Sequence, residues 1–200
     1  MKRILSVCVG LILTASLCAC DSDVVKIKGK RVDIISEYNI NLEWKTVYLQ
    51  QLLNVDEKKY ESFSLIYVDN DNIPEMFFKS NSHITPSILF WVYNNEIYST
   101  ELSFNGFYYF EKQNLFLNSG GFTGACWDTI YKLNNKTAEN ICDGNYCVVK
   151  GHESFRFNDS DFDSIEQYVD ARNCLFDTNK AFIPKEQLSL SELQEAIKNF

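Results

Sequence analysis

Histidine is scarce: His83 and His152 are the only two in 200 residues, and neither falls in an HExxH or GxSxG pattern or beside a local cysteine-nucleophile signature. His152 lies five residues after Cys147, a spacing that sets no catalytic geometry, and His83 falls in a polar loop spanning 81–86. Basic residues are short as well. Nineteen Lys and Arg face 27 Asp and Glu, a formal net charge of −8, and this balance excludes a charge-driven nucleic-acid binder. The run Ser119-Gly120-Gly121-Phe122-Thr123-Gly124 lacks the Lys of a phosphate loop, and no helix pattern follows it, so it reads as a sheet-corner loop. The CxxC spacing of most structural zinc sites is missing, and no internal repeat is long enough to build a propeller or solenoid.

What is present begins at Met1. Lys2 and Arg3 precede an apolar run from Ile4 to Leu17, and small residues with cysteine follow. This is the layout of a secretory signal, too short for an ordinary membrane-spanning helix. Leu17-Cys18-Ala19-Cys20 resembles the lipobox of bacterial lipoproteins, with Cys20 the lipidated residue. A cut before Cys18 would put bulky Leu17 at the cleavage position. The expectation is a signal over 1–19, a lipid-anchored tether over 20–36 and one globular domain over 37–200. Acyl chains on Cys20 anchor the chain at the extracytoplasmic face of the cell membrane without a protein span. Cleavage removes Lys2 and Arg3, leaving 17 basic against 27 acidic residues, a net −10. Lys26, Lys28, Lys30 and Arg31 read as a solvated linker, with contact to anionic headgroups as the alternative.

The domain centres on Leu65 to Phe78, where two strand-like apolar runs flank a loop closed by Pro74. Asp69, Asp71 and Glu75 place three carboxylates in seven residues with the Ile73 carbonyl between them, a hard-oxygen set that suits Ca²⁺. The same residues suit a plain connector, in which Asp69 and Asn72 make Asx turns and Pro74 presets φ.

The segment Tyr67-Val68-Asp69-Asn70-Asp71-Asn72-Ile73-Pro74-Glu75 resembles the DxDxDGxPEL loop of calcium-binding surface repeats of the FG-GAP-like type. It is also similar to a YxDxDxxPEL segment of uncharacterised bacterial surface lipoproteins. The resemblance covers about a tenth of the chain and implies Asp69, Asp71, the Ile73 backbone oxygen and Glu75 as successive metal ligands. Tyr67 stands where the pattern has its first Asp, and Asn72 where it has Gly. One carboxylate fewer implies weak calcium binding.

Four cysteines remain after Cys8, Cys18 and Cys20 are assigned to the leader and the lipid. Cys142 and Cys147 flank the turn-like Asp143-Gly144-Asn145-Tyr146, so one reading pairs them across a hairpin and leaves Cys126 to Cys174. The other keeps all four as small buried thiols.

Ile40, Trp44, Val47, Tyr48 and Leu52 recur at helical spacing within Glu37 to Asn54. Strands are expected over 88–93 and 96–102 around Asn94-Asn95. A further hairpin at Asn105-Gly106 sets Phe104 opposite Phe107 and Leu102 opposite Tyr109. More strands follow at 115–117, 125–133, 138–142 and 146–150. Ser160 opens a helix carrying Phe162, Ile165 and Val169, and Ser189 with Glu192 forms a capping box before Leu193 and Ile197. The fold class is α+β: an antiparallel meander of about nine or ten strands with an N-terminal helix and C-terminal helices.

Twenty-nine aromatics, many between Phe90 and Phe110, serve chiefly as strand core, and on a sheet face they can also stack on sugar rings or bind peptide. The favoured function is a non-catalytic surface lipoprotein that binds an extracytoplasmic protein or polysaccharide. The alternative is an extracytoplasmic hydrolase using the acidic-loop carboxylates, whose separation the sequence does not set.

Overall fold

The computed structural model describes residues 43–82 and 84–200. The expected leader, Cys20, the expected tether, the first residues of the expected N-terminal helix and His83 lie outside the described residues. Helix α1 (Glu43–Leu52) buries Trp44, Tyr48 and Leu52, one residue per turn on a single face. A short 3₁₀ turn, Glu57–Lys59, is capped by the Asp56 carboxylate.

Ten strands follow, and they form two antiparallel sheets rather than one meander. The first sheet holds β1 (Tyr60–Ile66), β2 (Glu75–Ser80), β3 (Ser87–Tyr93) and β4 (Glu96–Leu102) in that order. The second runs β5 (Gly106–Phe110), β6 (Leu115–Phe122), β7 (Ala125–Leu133), β8 (Ala138–Cys147), β9 (Ser154–Phe157) and β10 (Ser160–Phe162). Helix α2 (Ile165–Leu175) and helix α3 (Leu190–Asn199) close the chain.

Side-chain alternation sorts these elements into four layers. Met76, Phe78, Phe90 and Val92 face α1 and α3, packing on Trp44, Tyr48, Leu193 and Ile197. The alternate residues Phe77, Leu89 and Trp91 meet Phe107, Phe116 and Leu133 of the second sheet. The far face of that sheet buries Leu117, Ile130 and Phe157 against Tyr168 of α2. Being covered on both faces, β2 and β3 read as continuous apolar runs instead of alternating ones.

The split into sheets overturns the expected Asn105-Gly106 hairpin. Leu102 pairs with Ser87, and Phe107 pairs with Asn118, so β4 and β5 never meet. The buried Asn118 amide accepts from the Phe104 N–H and donates to the Phe104 and Gly106 carbonyls, holding this stretch as a crossover. Phe107 is thereby free to stack on Phe77 at 4.5 Å between the sheets. Burial of a whole aromatic ring outweighs a local turn preference.

The hairpin drawn between Cys142 and Cys147 is likewise absent, because both lie on the single strand β8. Five strand residues span about 16 Å, far outside disulfide reach. Cys126, Cys142, Cys147 and Cys174 are all free thiols. Gly144 is present for close approach and not for a turn: a Cβ there would sit 2.4 Å from the Tyr168 hydroxyl. The glycine run is no corner loop either, since β6 continues to Phe122 and the turn is confined to Thr123-Gly124, both at positive φ. Ser160 begins β10, and the cap of α2 is Ser164.

The Asn94-Asn95 turn, with φ of 50° and 62°, and the Ser189–Glu192 capping box form as expected. The segment before α3 adds two pairings that no strand pattern announces. Phe182 exchanges backbone bonds with Tyr109 at the β5 edge, and Leu188 does so with Phe63 at the β1 edge. One strap thus covers two edges otherwise open to pairing with other chains.

Candidate metal site

The loop between β1 and β2 carries the acidic cluster, and two neighbouring elements hold it. Lys112 and Asn114, both at positive φ in the β5–β6 turn, donate their N–H groups to the Tyr67 and Val68 carbonyls at 3.1 and 2.8 Å. The Lys112 ammonium lies 5.1 Å from the Tyr67 ring centre. From α1, the buried Tyr48 hydroxyl donates to the Pro74 carbonyl at 2.9 Å.

Within the loop, Asp69 accepts from the Asp71 N–H at 2.9 Å, and Asp71 accepts from the Ile73 N–H at 2.6 Å. Glu75, only 1% exposed, accepts from the Val68 N–H at 2.6 Å. These bonds turn the three acids inward, and one oxygen from each lies within 4.8 Å of the others. Asp69, Asp71 and Glu75 are therefore brought together as expected, and the cluster is of a size to hold a metal ion. The Asx-type bonds foreseen for a plain connector are present too, made by Asp69 and Asp71.

The electrostatics are those of a crowded, partly buried anionic cluster. Burial, reinforced by the adjacent Asp69 charge, pushes the Asp71 carboxyl from 3.8 up to about 6, although the Ile73 N–H and Lys112 oppose the shift. Glu75 is raised well above the ordinary range, first by burial and then by Asp69. The same burial, followed by the charges of Glu75, Asp71 and Asp69, raises the Tyr48 hydroxyl.

A second polar cluster went unseen in the sequence because its members are far apart along the chain. Asp128 on β7, 1% exposed, accepts from the Tyr168 hydroxyl at 2.9 Å and pairs with Arg172 at 3.3 Å. Burial, then Asp128, raises Tyr168, while Tyr146 is raised to about 12 by its hydrogen bond to Cys126 and then by burial. Asp128 Oδ1 and Arg172 Nε are buried with no partner. The only sequence signal for this cluster was the Asp128 carboxylate interrupting an otherwise apolar inward row.

No family model matches the chain, and no curated protein or solved structure is similar to it. Among the described residues no helix is long and apolar enough to cross a membrane.

Proposed function

We propose that this chain is a lipid-anchored, extracytoplasmic binding module whose β1–β2 loop is braced by Ca²⁺. The observation that carries the metal is the convergence of Asp69, Asp71 and Glu75 within 4.8 Å around a carboxylate that is 1% exposed. Three acids so close repel one another unless a cation sits among them. Asp69, Asp71, Glu75 and the Ile73 carbonyl would hold the ion, and its double charge would relieve that repulsion. Tyr48 and Lys112 orient the loop from outside. Calcium, tolerant of irregular oxygen cages, suits the set better than Mg²⁺ with its strict octahedron. The burial of Glu75 and its bond to Val68 favour holding an ion over acting on a polymeric substrate.

The anchor reading is supported by the leader-like apolar run Ile4 to Leu17 and by Cys20, which under this proposal would carry the lipid outside the membrane. Calorimetric titration of the full chain in detergent tests the metal. The expected result is one saturable Ca²⁺ site with a dissociation constant of about 10⁻⁴ to 10⁻³ M, lost in Asp71→Asn. A flat titration of the wild type removes the site. Cys20→Ala is expected to abolish lipid labelling and release the chain from the membrane fraction, and persistent labelling overturns the anchor.

A further inference from the structure

The first sheet packs on the second through Phe107, Phe116 and Leu133 and leaves Trp127 of the same face exposed. On the face away from α2, the register places Gly120, Trp127, Asn145, Arg156 and Asp161 side by side across β6 to β10. Trp127 is 42% exposed, whereas Trp44 and Trp91 are 8% and 2% exposed. An exposed tryptophan in the middle of a sheet has no core role to explain it.

The row is built rather than incidental. Asn118, 1% exposed, pins the crossover through three hydrogen bonds to Phe104 and Gly106. The pinned Phe104 lies on Gly120, where a Cβ would come within 2.7 Å of its own Cβ, so only glycine admits it. Phe104 and Trp127 are then parallel within 8° at 5.9 Å between ring centres. Phe122, 76% exposed, stands beside them. These rings, with Ser103 and Asn105, line a cavity of about 300 Å³.

One strand further, the chemistry changes from aromatic to polar. A second cavity of about 440 Å³ is lined by Asn140, Asp143, Asn145, Arg156, Asn158 and Asp159. Asp143 is held by Thr129 at 2.9 Å and by Asn140 at 2.8 Å, and Arg156 is steadied by Asp159 at 3.3 Å. The Asn145 side chain, next to Trp127, makes no bond among the described residues.

We propose that this row is a binding site for an uncharged polysaccharide. Flat rings match the apolar face of a pyranose, and the adjacent amide, guanidinium and carboxylate groups supply acceptors and donors for its hydroxyls. From β6 to β9 the row spans three strand steps, about 14 Å, the reach of a short run of sugar units and not of one ring. Both cavities fall in or near the ordinary range of small-ligand clefts, about 300–1,000 Å³, whereas a protein partner wants a broad apolar centre. Charge decides the class of glycan. Asp143, Asp159 and Asp161 outnumber Arg156 on this face, and the whole chain is at −8, so a polyanionic glycan is repelled.

This proposal rests on the reading of the chain as a binding module but not on calcium, since the row lies outside the acidic loop. The test is affinity electrophoresis of the full chain in detergent through gels containing β-glucan, xylan, galactomannan or polygalacturonate, together with tryptophan fluorescence. At least one neutral polymer is expected to retard the chain and shift the fluorescence. Trp127→Ala is expected to weaken retardation at least about tenfold, as loss of a central aromatic anchor does, and Asn145→Ala to weaken it less. Trp127→Phe should retain part of the binding while abolishing the fluorescence shift. Asp71→Asn should bind as wild type does, in chelator as in calcium, which separates failure of the metal site from failure of this one. Retardation by none of the neutral polymers, by polygalacturonate alone, or equally in Trp127→Ala of unchanged melting temperature overturns the proposal, and capture of a protein at this face instead does so as well.

Discussion

The Tyr48 hydroxyl reaches from α1 to donate to the Pro74 carbonyl at 2.9 Å, coupling the helix layer to the residue just before buried Glu75. Pro74 itself is buried, so no water replaces the bond. Tyr48→Phe keeps the ring in the core and leaves that carbonyl unpaired. The expected cost is about 1–3 kcal/mol by urea denaturation, with a weaker calcium response in the same variant. An unchanged midpoint would mean that the loop is held by the Lys112 and Asn114 contacts alone.

The acidic loop also sets a pH dependence. Asp71 and Glu75 have folded-state pKa values above their unfolded ones, so protonation of the cation-free loop favours the fold. Their contribution is fully present below the unfolded carboxylate values of 3.8 and 4.5, and is lost as pH rises through about 6 for Asp71 and through the raised pKa of Glu75. In chelator, the melting temperature should therefore carry a downward component between pH 4 and pH 7 that Asp71→Asn reduces. Calcium competes with these protons, so its affinity should rise over the same interval. A component of opposite sign in the wild type, absent in Asp71→Asn, would contradict the assignment.

Asp128 and Arg172 make a different prediction. Arg172→Ala strands a carboxylate that is 1% exposed, and an uncompensated buried charge costs about 3–5 kcal/mol. Asp128→Asn with Arg172→Met together should cost clearly less than Arg172→Ala alone, since no buried charge is then left unpaired. Chemical denaturation of Arg172→Ala, Asp128→Asn, Arg172→Met and the double variant measures this. Additive losses would mean that the pair does not couple.

The thiols should behave as four separate groups. Cys174 is exposed and Cys142 buried, so under native conditions alkylation followed by mass spectrometry should label Cys174 first and Cys142 last. Burial, with nearby Asp143, also raises the Cys142 thiol and slows it further. No Cys142–Cys147 crosslink is expected, and a reducing agent should leave the melting temperature unchanged. A recovered crosslink would contradict the register of β8.

What could be read from the chain was the chemistry that is local. The Ser189–Glu192 capping box, the Asn94-Asn95 turn and the helical face of Trp44, Tyr48 and Leu52 each depend on residues within a few positions of one another. The acidic loop was legible for the same reason: its carboxylates are close in sequence and remain close in space. Asn105-Gly106 and Asp143-Gly144 misled because their glycines serve other needs, a crossover beneath Asn118 and room for Tyr168. The two-sheet division, the strap from Phe182 to Leu188 and the Asp128–Arg172 pair depend on contacts between distant segments, which no local pattern encodes. Trp127 stood in the sequence as one strand aromatic among many; its register with Asn145 and Arg156 distinguishes it.

The calcium-braced loop is tested most directly by the melting temperature of the full chain at pH 7 in millimolar Ca²⁺, in Mg²⁺ and in chelator. At ten times a dissociation constant of about 10⁻⁴ to 10⁻³ M, calcium should stabilise the fold by about 1.4 kcal/mol, seen as a clear rise over chelator, with Mg²⁺ giving none. Asp71→Asn should melt at one temperature in all three. A wild type that melts identically with calcium and with chelator would make the loop a connector and contradict the account.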